Sequence, residues 1–233
     1  MSNSTGKYRH IGTGILLVTL VAACVSTKTV PVNLQAKSQF VGKTIVLARR
    51  SLPEFAVMTA GKMATGGLFG AIGGAVAGAS TVTAGRELRD RFQFTDPAAK
   101  IGPTLFDELI AAHSMTSITS NKQVTSLDPK EIAVAYSGSD FVLDVVTVNW
   151  TMLYFPTHWG HYGIQYSAKA FLIDTNSGMS VGEAYCVRSP KYSKESASYD
   201  EMLADDGARI TTESEIAATS CLEEIRKKLG LTS

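Results

Sequence analysis

The sequence has few of the residues on which catalytic and nucleic-acid-binding proteins depend. Its 233 residues include three cysteines and four histidines, and its 22 basic and 21 acidic side chains leave a net charge of +1 without a basic cluster. A nucleic-acid partner would need a concentrated positive surface. Neither a Gly-x-Ser-x-Gly turn nor a phosphate-binding loop motif occurs. These absences predict no nucleic-acid partner, no cofactor and no enzyme activity. An enzyme with dispersed catalytic residues is the alternative.

The first 23 residues predict a secretory signal peptide. Residues 1–10 are polar and carry two basic side chains and no acidic one. Residues 11–21 form an apolar run, which is too short to cross a bilayer of about 30 Å as a helix. Ala22 and Ala23 follow as the small residues that a signal peptidase accommodates. This order of charged, apolar and small residues is typical of an export signal rather than of a membrane-spanning anchor.

The residue after this signal points to a lipid anchor. The run Val21-Ala22-Ala23-Cys24 resembles a lipobox, the cleavage motif of bacterial lipoproteins. The resemblance implies diacylglycerol on the Cys24 sulfur, acylation of its new amine, and a lipid bilayer as partner. Because Val25 stands where an aspartate favours inner-membrane retention, the resemblance also implies the outer membrane, with the protein facing the periplasm. An ordinary signal peptide followed by a chance cysteine is the alternative.

The two remaining cysteines predict a disulfide bond. Export places Cys186 and Cys221 in an oxidising compartment, where an even number of thiols usually pairs. Two buried free thiols are the alternative. Removal of residues 1–23 takes away two basic residues and no acid, so the mature chain has a net charge of −1.

The mature chain is predicted to contain a tether and one domain. Residues 24–40 are polar and rich in Val and Thr without helical periodicity, so they are interpreted as a lipidated tether. Residues 41–233 are interpreted as a single domain. It includes a glycine-rich segment at residues 60–86, in which residues 63–85 carry no charge.

The glycine-rich segment resembles a glycine zipper. On a helix, Gly66, Gly70, Gly74 and Gly78 form one stripe, which allows close approach of a second helix. Three interpretations remain open at this point: a helical hairpin packed on its own domain, a membrane-inserted or oligomerising zipper at residues 63–85, and a flexible loop.

The remaining chain predicts an α+β fold. A strand at residues 43–50 is followed by a helix that starts at Asp96-Pro97. Three β-rich stretches at residues 140–155, 162–174 and 179–188 predict an antiparallel meander. Ser198-x-x-Glu201 is a capping box that opens a terminal helix, which ends at Gly230. We therefore expect an antiparallel sheet of about four strands with helices packed on one face.

Parts of this second half resemble known lipoproteins. The stretches DFVLDVVTVNW and YGIQYSAKAFLIDTNSG and the cysteine-bearing terminal helix resemble an uncharacterised family of bacterial lipoproteins. The order of elements is also similar to the small α/β periplasmic domains of envelope-assembly lipoproteins such as the curli secretion lipoprotein. Likeness of fold does not transfer function.

Two groups of side chains are candidate functional residues. Tyr154, Phe155, Trp159 and Tyr162 predict an exposed aromatic patch, suited to a protein partner or a membrane surface. His158 and His161 beside them supply only two of the three or four ligands that zinc needs, so no metal site is predicted. Asp140 and Asp144 share one face of a strand and are expected to be solvated.

These observations predict a membrane-anchored structural or interaction module of the cell envelope, with an envelope protein as its partner. The alternative is a homo-oligomer driven by the glycine zipper, with residues 63–85 inserted into the membrane.

Overall fold

The computed structural model describes residues 27–32, 38–60 and 79–231. Cys24 and the stripe Gly66, Gly70, Gly74 and Gly78 therefore lie outside the described residues. The elements in chain order are β1 (Thr44–Leu47), β2 (Ala56–Met58), α1 (Ala79–Phe92), α2 (Ala98–His113), β3 (Thr116–Ile118), α3 (Pro129–Ala135), β4 (Phe141–Phe155), β5 (His158–Asp174), β6 (Met179–Arg188) and α4 (Tyr199–Leu229).

The α+β class is confirmed, but the sheet has six strands and is mixed. Its order is β3-β1-β4-β5-β6, with β2 also paired to β4. The long strands β4, β5 and β6 form the predicted antiparallel meander. The short strands β1, β2 and β3 pair in parallel with their neighbours. The expectation of about four antiparallel strands differs from this sheet because β2 and β3 have only three residues each. Such short strands show no alternation in the sequence.

Helices cover both faces of the sheet rather than one. On β4, Leu143 and Val145 face the main core, where the apolar sides of α2 and α4 pack. Val142 and Val146 point to the opposite face. There, α3 packs against the sheet through Ile132 and its neighbours. The prediction placed helices on one face because it did not include α3, which has only seven residues.

The helix ends follow the hydrogen-bonding signals in the sequence. The Asp96 carboxylate accepts a bond of 2.9 Å from the Ala98 amide at the start of α2. The capping box of α4 is complete, since Ser198 and Glu201 each bond the other's backbone amide. Gly230 ends the helix with a φ of 69°. The bonds made by Asp96, Ser198 and Glu201 satisfy backbone amides at the start of a helix, where the helix itself provides no hydrogen-bond partner.

Helix α4 bends sharply near its start. Residues 204–207 leave the helical conformation, and Gly207 adopts a φ of 74°. A Cβ atom on Gly207 would lie 2.6 Å from the ring of Phe94, so a larger residue would disturb the core as well as the backbone. The bend positions the rest of α4 along β5 and β6.

The structure joins Cys186 of β6 to Cys221 of α4 in a disulfide bond, as the sequence predicts. Both cysteines are fully buried in the main core. The bond closes a loop with a sequence separation of 35. A loop of this length corresponds to about 3–4 kcal/mol of stabilisation through the unfolded state.

The N-terminal residues that the structure describes lie along β6. Val30 exchanges two backbone hydrogen bonds with Glu183, in antiparallel orientation. Val32 is buried, and its amide donates to the carbonyl of Leu229. Part of the predicted tether is therefore packed on the domain. Within the described ranges, none of the helices combines the length and apolarity needed to cross a membrane.

Candidate functional site

The main cavity that the structure shows lies beside a gap at one edge of β4. Strand β1 pairs with β4 as far as Leu47 and Leu143, and β2 joins it only at Ala56 and Thr151. The chain between the two short strands leaves β4 and passes around a cavity of about 630 Å³. Its lining includes Arg50, Leu52, Arg89, Phe94, Asp96 and Val145.

Asp96 lines this cavity and a neighbouring one of about 310 Å³ that extends to Trp150 and α4. Its Oδ1 atom accepts a hydrogen bond of 2.5 Å from the Thr147 hydroxyl, in addition to the bond from Ala98. The Thr147 oxygen lies 3.1 Å from the hydroxyl of buried Tyr166. Burial raises the pKa of Asp96, and the two hydrogen bonds offset part of that effect.

The cavity also borders a buried ion pair that the sequence did not indicate. Asp144, expected to be solvated, has a fully buried side chain. Arg50 binds both of its carboxylate oxygens, at 2.8 and 2.6 Å, and donates a further bond to the carbonyl of Ser126. This bidentate pair supplies the hydrogen bonds that a buried carboxylate requires. The only signal in the sequence was the paired arginines at the end of β1.

Asp140 was also expected to be solvated, and unlike Asp144 it lies near the surface. Its Oδ2 atom accepts hydrogen bonds from the Thr44 amide at 2.9 Å and the Thr44 hydroxyl at 2.7 Å. Lys43 lies 3.3 Å from the other oxygen. The bonds from Thr44, chiefly that of its backbone amide, hold the pKa of Asp140 below its ordinary value. Asp140 therefore fastens the start of β4 to β1.

A second buried charge lies on the same face of the sheet as Asp144. The side chain of Lys169 is 3% exposed, and its Nζ atom lies 3.1 Å from Glu183 on the neighbouring strand. The ammonium group also sits 4.4 Å from the centroid of the Phe171 ring. The strand alternation places Lys169 on this face but gave no sign that it would be buried.

The four aromatic residues of the predicted patch do not share one exposed surface. Phe155 and Tyr162 are buried, and Tyr154 is half-buried. Trp159 alone among the four is exposed, at 72%, and it lies at the start of β5. Its indole N–H donates to the carbonyl of Pro156 in the turn that precedes β5.

A residue that the sequence did not single out joins this turn. Tyr192, from the connection between β6 and α4, stacks on His158 with ring centroids 3.4 Å apart. Phe155 and His161 contact the same tyrosine edge-on, at 5.7 and 5.5 Å. The histidines thus pack against an aromatic ring. The described parts of the chain contain no group of three or more metal-binding side chains. We refer to residues 156–161 together with Tyr192 as the hairpin tip.

Comparison with known proteins finds neither a matching family model nor a matching curated protein. Among solved structures, the PelC dodecamer from Paraburkholderia phytofirmans is 14% identical, with a TM-score of 0.33, over 81% of this chain and 89% of that chain. The LpoB C-terminal domain from Escherichia coli is 11% identical, with a TM-score of 0.25, over 65% and 85% of the two chains.

Lipoprotein GNA1162 from Neisseria meningitidis is 13% identical, with a TM-score of 0.23, over 66% of this chain and 88% of that chain. The structural neighbours thus include a lipoprotein. Identities and TM-scores this low do not assign a function to this chain.

Proposed function

We propose that this chain is an exported lipoprotein, acylated on Cys24 and held at the periplasmic face of the outer membrane. Its α+β domain acts there as a structural or protein-interaction module, without catalysis and without a cofactor. The observation that carries the proposal is the position of Cys24, directly after two alanines at the end of an apolar run of 11 residues.

Two features of the domain support this proposal. A buried disulfide between Cys186 and Cys221 suits a protein that folds in an oxidising compartment. Val30 is already hydrogen-bonded to β6, only six residues after Cys24. An acylated Cys24 would therefore hold the domain close to the membrane surface rather than at the end of a long tether.

Substitution of the acylated cysteine tests the proposal. The full chain and its Cys24→Ser variant are expressed in a Gram-negative host with labelled palmitate, and the membranes are then fractionated. We expect label and membrane association for the native chain and loss of both for Cys24→Ser. Unchanged labelling of the variant would contradict the proposal.

A second variant tests the choice of membrane. Val25→Asp leaves the acylated cysteine intact but introduces the aspartate that the lipoprotein family associates with inner-membrane retention. We expect it to keep the label and to move from the outer to the inner membrane fraction. An unchanged distribution between the two fractions would remove the outer membrane from the proposal and leave acylation in place.

The alternative function, a zipper-driven oligomer inserted in the membrane, depends on the glycine stripe at residues 66–78. It predicts that the chain needs detergent even when Cys24 is absent.

A further inference from the structure

The hairpin tip exposes the ring of Trp159 and part of Tyr192. The indole N–H of Trp159 is bonded within the turn, so the exposed part of this side chain is its apolar ring. Tyr192, which stacks on His158 in the same tip, is partly exposed. Lys191 and Lys194 flank Tyr192 and are exposed; the exposed acids nearby are Glu195 and Glu201, and Glu201 interacts electrostatically with His161. Tryptophan and tyrosine accompanied by lysine are the side chains that favour the headgroup region of a bilayer.

The described residues before Val30 run along β6 in the direction of this tip. Val30 pairs with Glu183 in antiparallel orientation, and β6 runs from Met179 towards the tip end of β5. Residues that precede Val30 therefore extend towards the tip, whereas Val32 lies in the other direction, beside Gly182. Residues 27–29, the described residues that lie nearest to Cys24 in the sequence, thus leave Val30 towards the end of the sheet that carries Trp159.

The length of the intervening chain limits how the domain can sit on a membrane. Six residues separate Cys24 from Val30 and span at most about 20 Å when fully extended. Along β5, the position level with Val30 is Phe171, which is twelve residues or about 40 Å from Trp159. If Trp159 and the Cys24 lipid reach the same surface, the strands lie at most about 30° from the membrane plane.

We propose that the hairpin tip is a second membrane contact: Trp159 and Tyr192 insert into the headgroup region of the bilayer in which Cys24 is anchored. The inference rests on the proposed acylation of Cys24. A phospholipid surface is the occupant because acylation of Cys24 would keep Val30 within about 20 Å of the membrane, and the chain before Val30 runs towards the tip. The two contacts together would limit the tilt of the long strands to about 30° from the membrane plane.

Tryptophan fluorescence in proteoliposomes tests this contact. The full acylated chain is reconstituted in phosphatidylethanolamine and phosphatidylglycerol vesicles, with and without phospholipids brominated near the headgroup. The contribution of Trp159 is the emission of the native chain minus that of Trp159→Phe. The remaining tryptophan, Trp150, is buried and stays in both proteins. We expect brominated lipid to reduce the Trp159 contribution and expect its spectrum to shift to shorter wavelength on reconstitution.

A matched control places an exposed tryptophan at the far end of the molecule. Val134 on α3 is 75% exposed, similar to Trp159, and α3 packs near the other end of β5. The double variant Trp159→Phe, Val134→Trp should therefore show no loss of emission with brominated lipid. Equal quenching at both positions would show general contact with lipid and would overturn the proposed orientation.

Two negative outcomes are distinguishable. If labelled palmitate is on Cys24 but Trp159 keeps a water-like spectrum without quenching, the tip does not contact lipid, and a protein partner becomes its better explanation. The proposed function then stands without this inference. If Cys24 carries no acyl group, the anchor and the orientation that depends on it both fall.

Discussion

Two aspartates show how one residue type serves opposite purposes in this domain. Asp140, near the surface, is stabilised as a carboxylate by the amide and hydroxyl of Thr44. Asp96 is partly buried beside Trp150 and Phe94, and this partial burial disfavours its charged form. The pKa of the first is lowered and that of the second is raised. Their contributions to stability therefore depend on pH with opposite sign.

Substitution of each aspartate by asparagine tests this difference in pH dependence. Asp140 stabilises the fold above its unfolded-state pKa, and that contribution is lost as pH falls through its lowered folded-state pKa. Ionised Asp96 opposes folding, and this penalty develops as pH rises from its unfolded-state pKa through its raised folded-state pKa. We expect Asp140→Asn to lower the melting temperature at pH 7 and to have a smaller effect at pH 3. We expect Asp96→Asn to raise the melting temperature at pH 7 relative to its effect at pH 3.

Each variant acts as the control for the other, since both remove one carboxylate and retain a similar shape. An Asn at position 96 can still accept hydrogen bonds from Thr147 and Ala98. If both variants lowered stability at pH 7 by the same amount and without pH dependence, the electrostatic interpretation would be wrong.

At the scale of elements, α1 depends on a single close approach to β2. Gly85 lies so near the backbone that a Cβ atom would be 1.9 Å from the carbonyl oxygen of Phe55. The sequence shows this glycine as one of many in a glycine-rich segment, with a cost to helix stability. In the structure, its lack of a side chain is what allows α1 to lie against the strand.

The element-scale prediction follows from this contact. Gly85→Ala should lower the free energy of unfolding by about 2–3 kcal/mol, because the methyl group meets backbone that has no rotamer to move. An alanine in a helix would otherwise be stabilising. The control is Gly138→Ala, since nothing lies within 4 Å of its added Cβ. Urea unfolding should show a change of at most about 0.5 kcal/mol there. A stabilised Gly85→Ala variant would mean that α1 is not packed on β2.

The sequence predicts elements that have a local pattern of residues. It does not predict elements that form only by pairing with residues far away in the chain. The meander and the caps of α4 follow from alternation, turn residues and the Ser198–Glu201 box. Strands β2 and β3 exist because β4 and β1 provide backbone partners far away in the sequence. Burial of Asp144 likewise depends on Arg50, which is 94 residues distant. The role of Tyr192 at the hairpin tip requires the fold to bring two connections together.

At the scale of the whole molecule, the acyl anchor and the zipper alternative predict different behaviour for a chain that starts at residue 25. If acylation of Cys24 holds the protein on the membrane, this shortened chain should be monomeric without detergent in analytical ultracentrifugation. A detergent requirement or a stable oligomer would contradict this and favour insertion of residues 63–85. In that case Gly74→Leu, which interrupts the stripe, should abolish the oligomer.

The disulfide between β6 and α4 alters the effect of proteolytic cleavage between them. The exposed connection at residues 191–195 contains Lys191 and Lys194, which trypsin can recognise. A cut there would leave two pieces that remain one molecule, because Cys186 and Cys221 lie on opposite sides of the break. The nicked protein would separate only after a reductant is added. In an oxidising compartment, the disulfide would keep the last helix attached to the rest of the domain after such a cleavage.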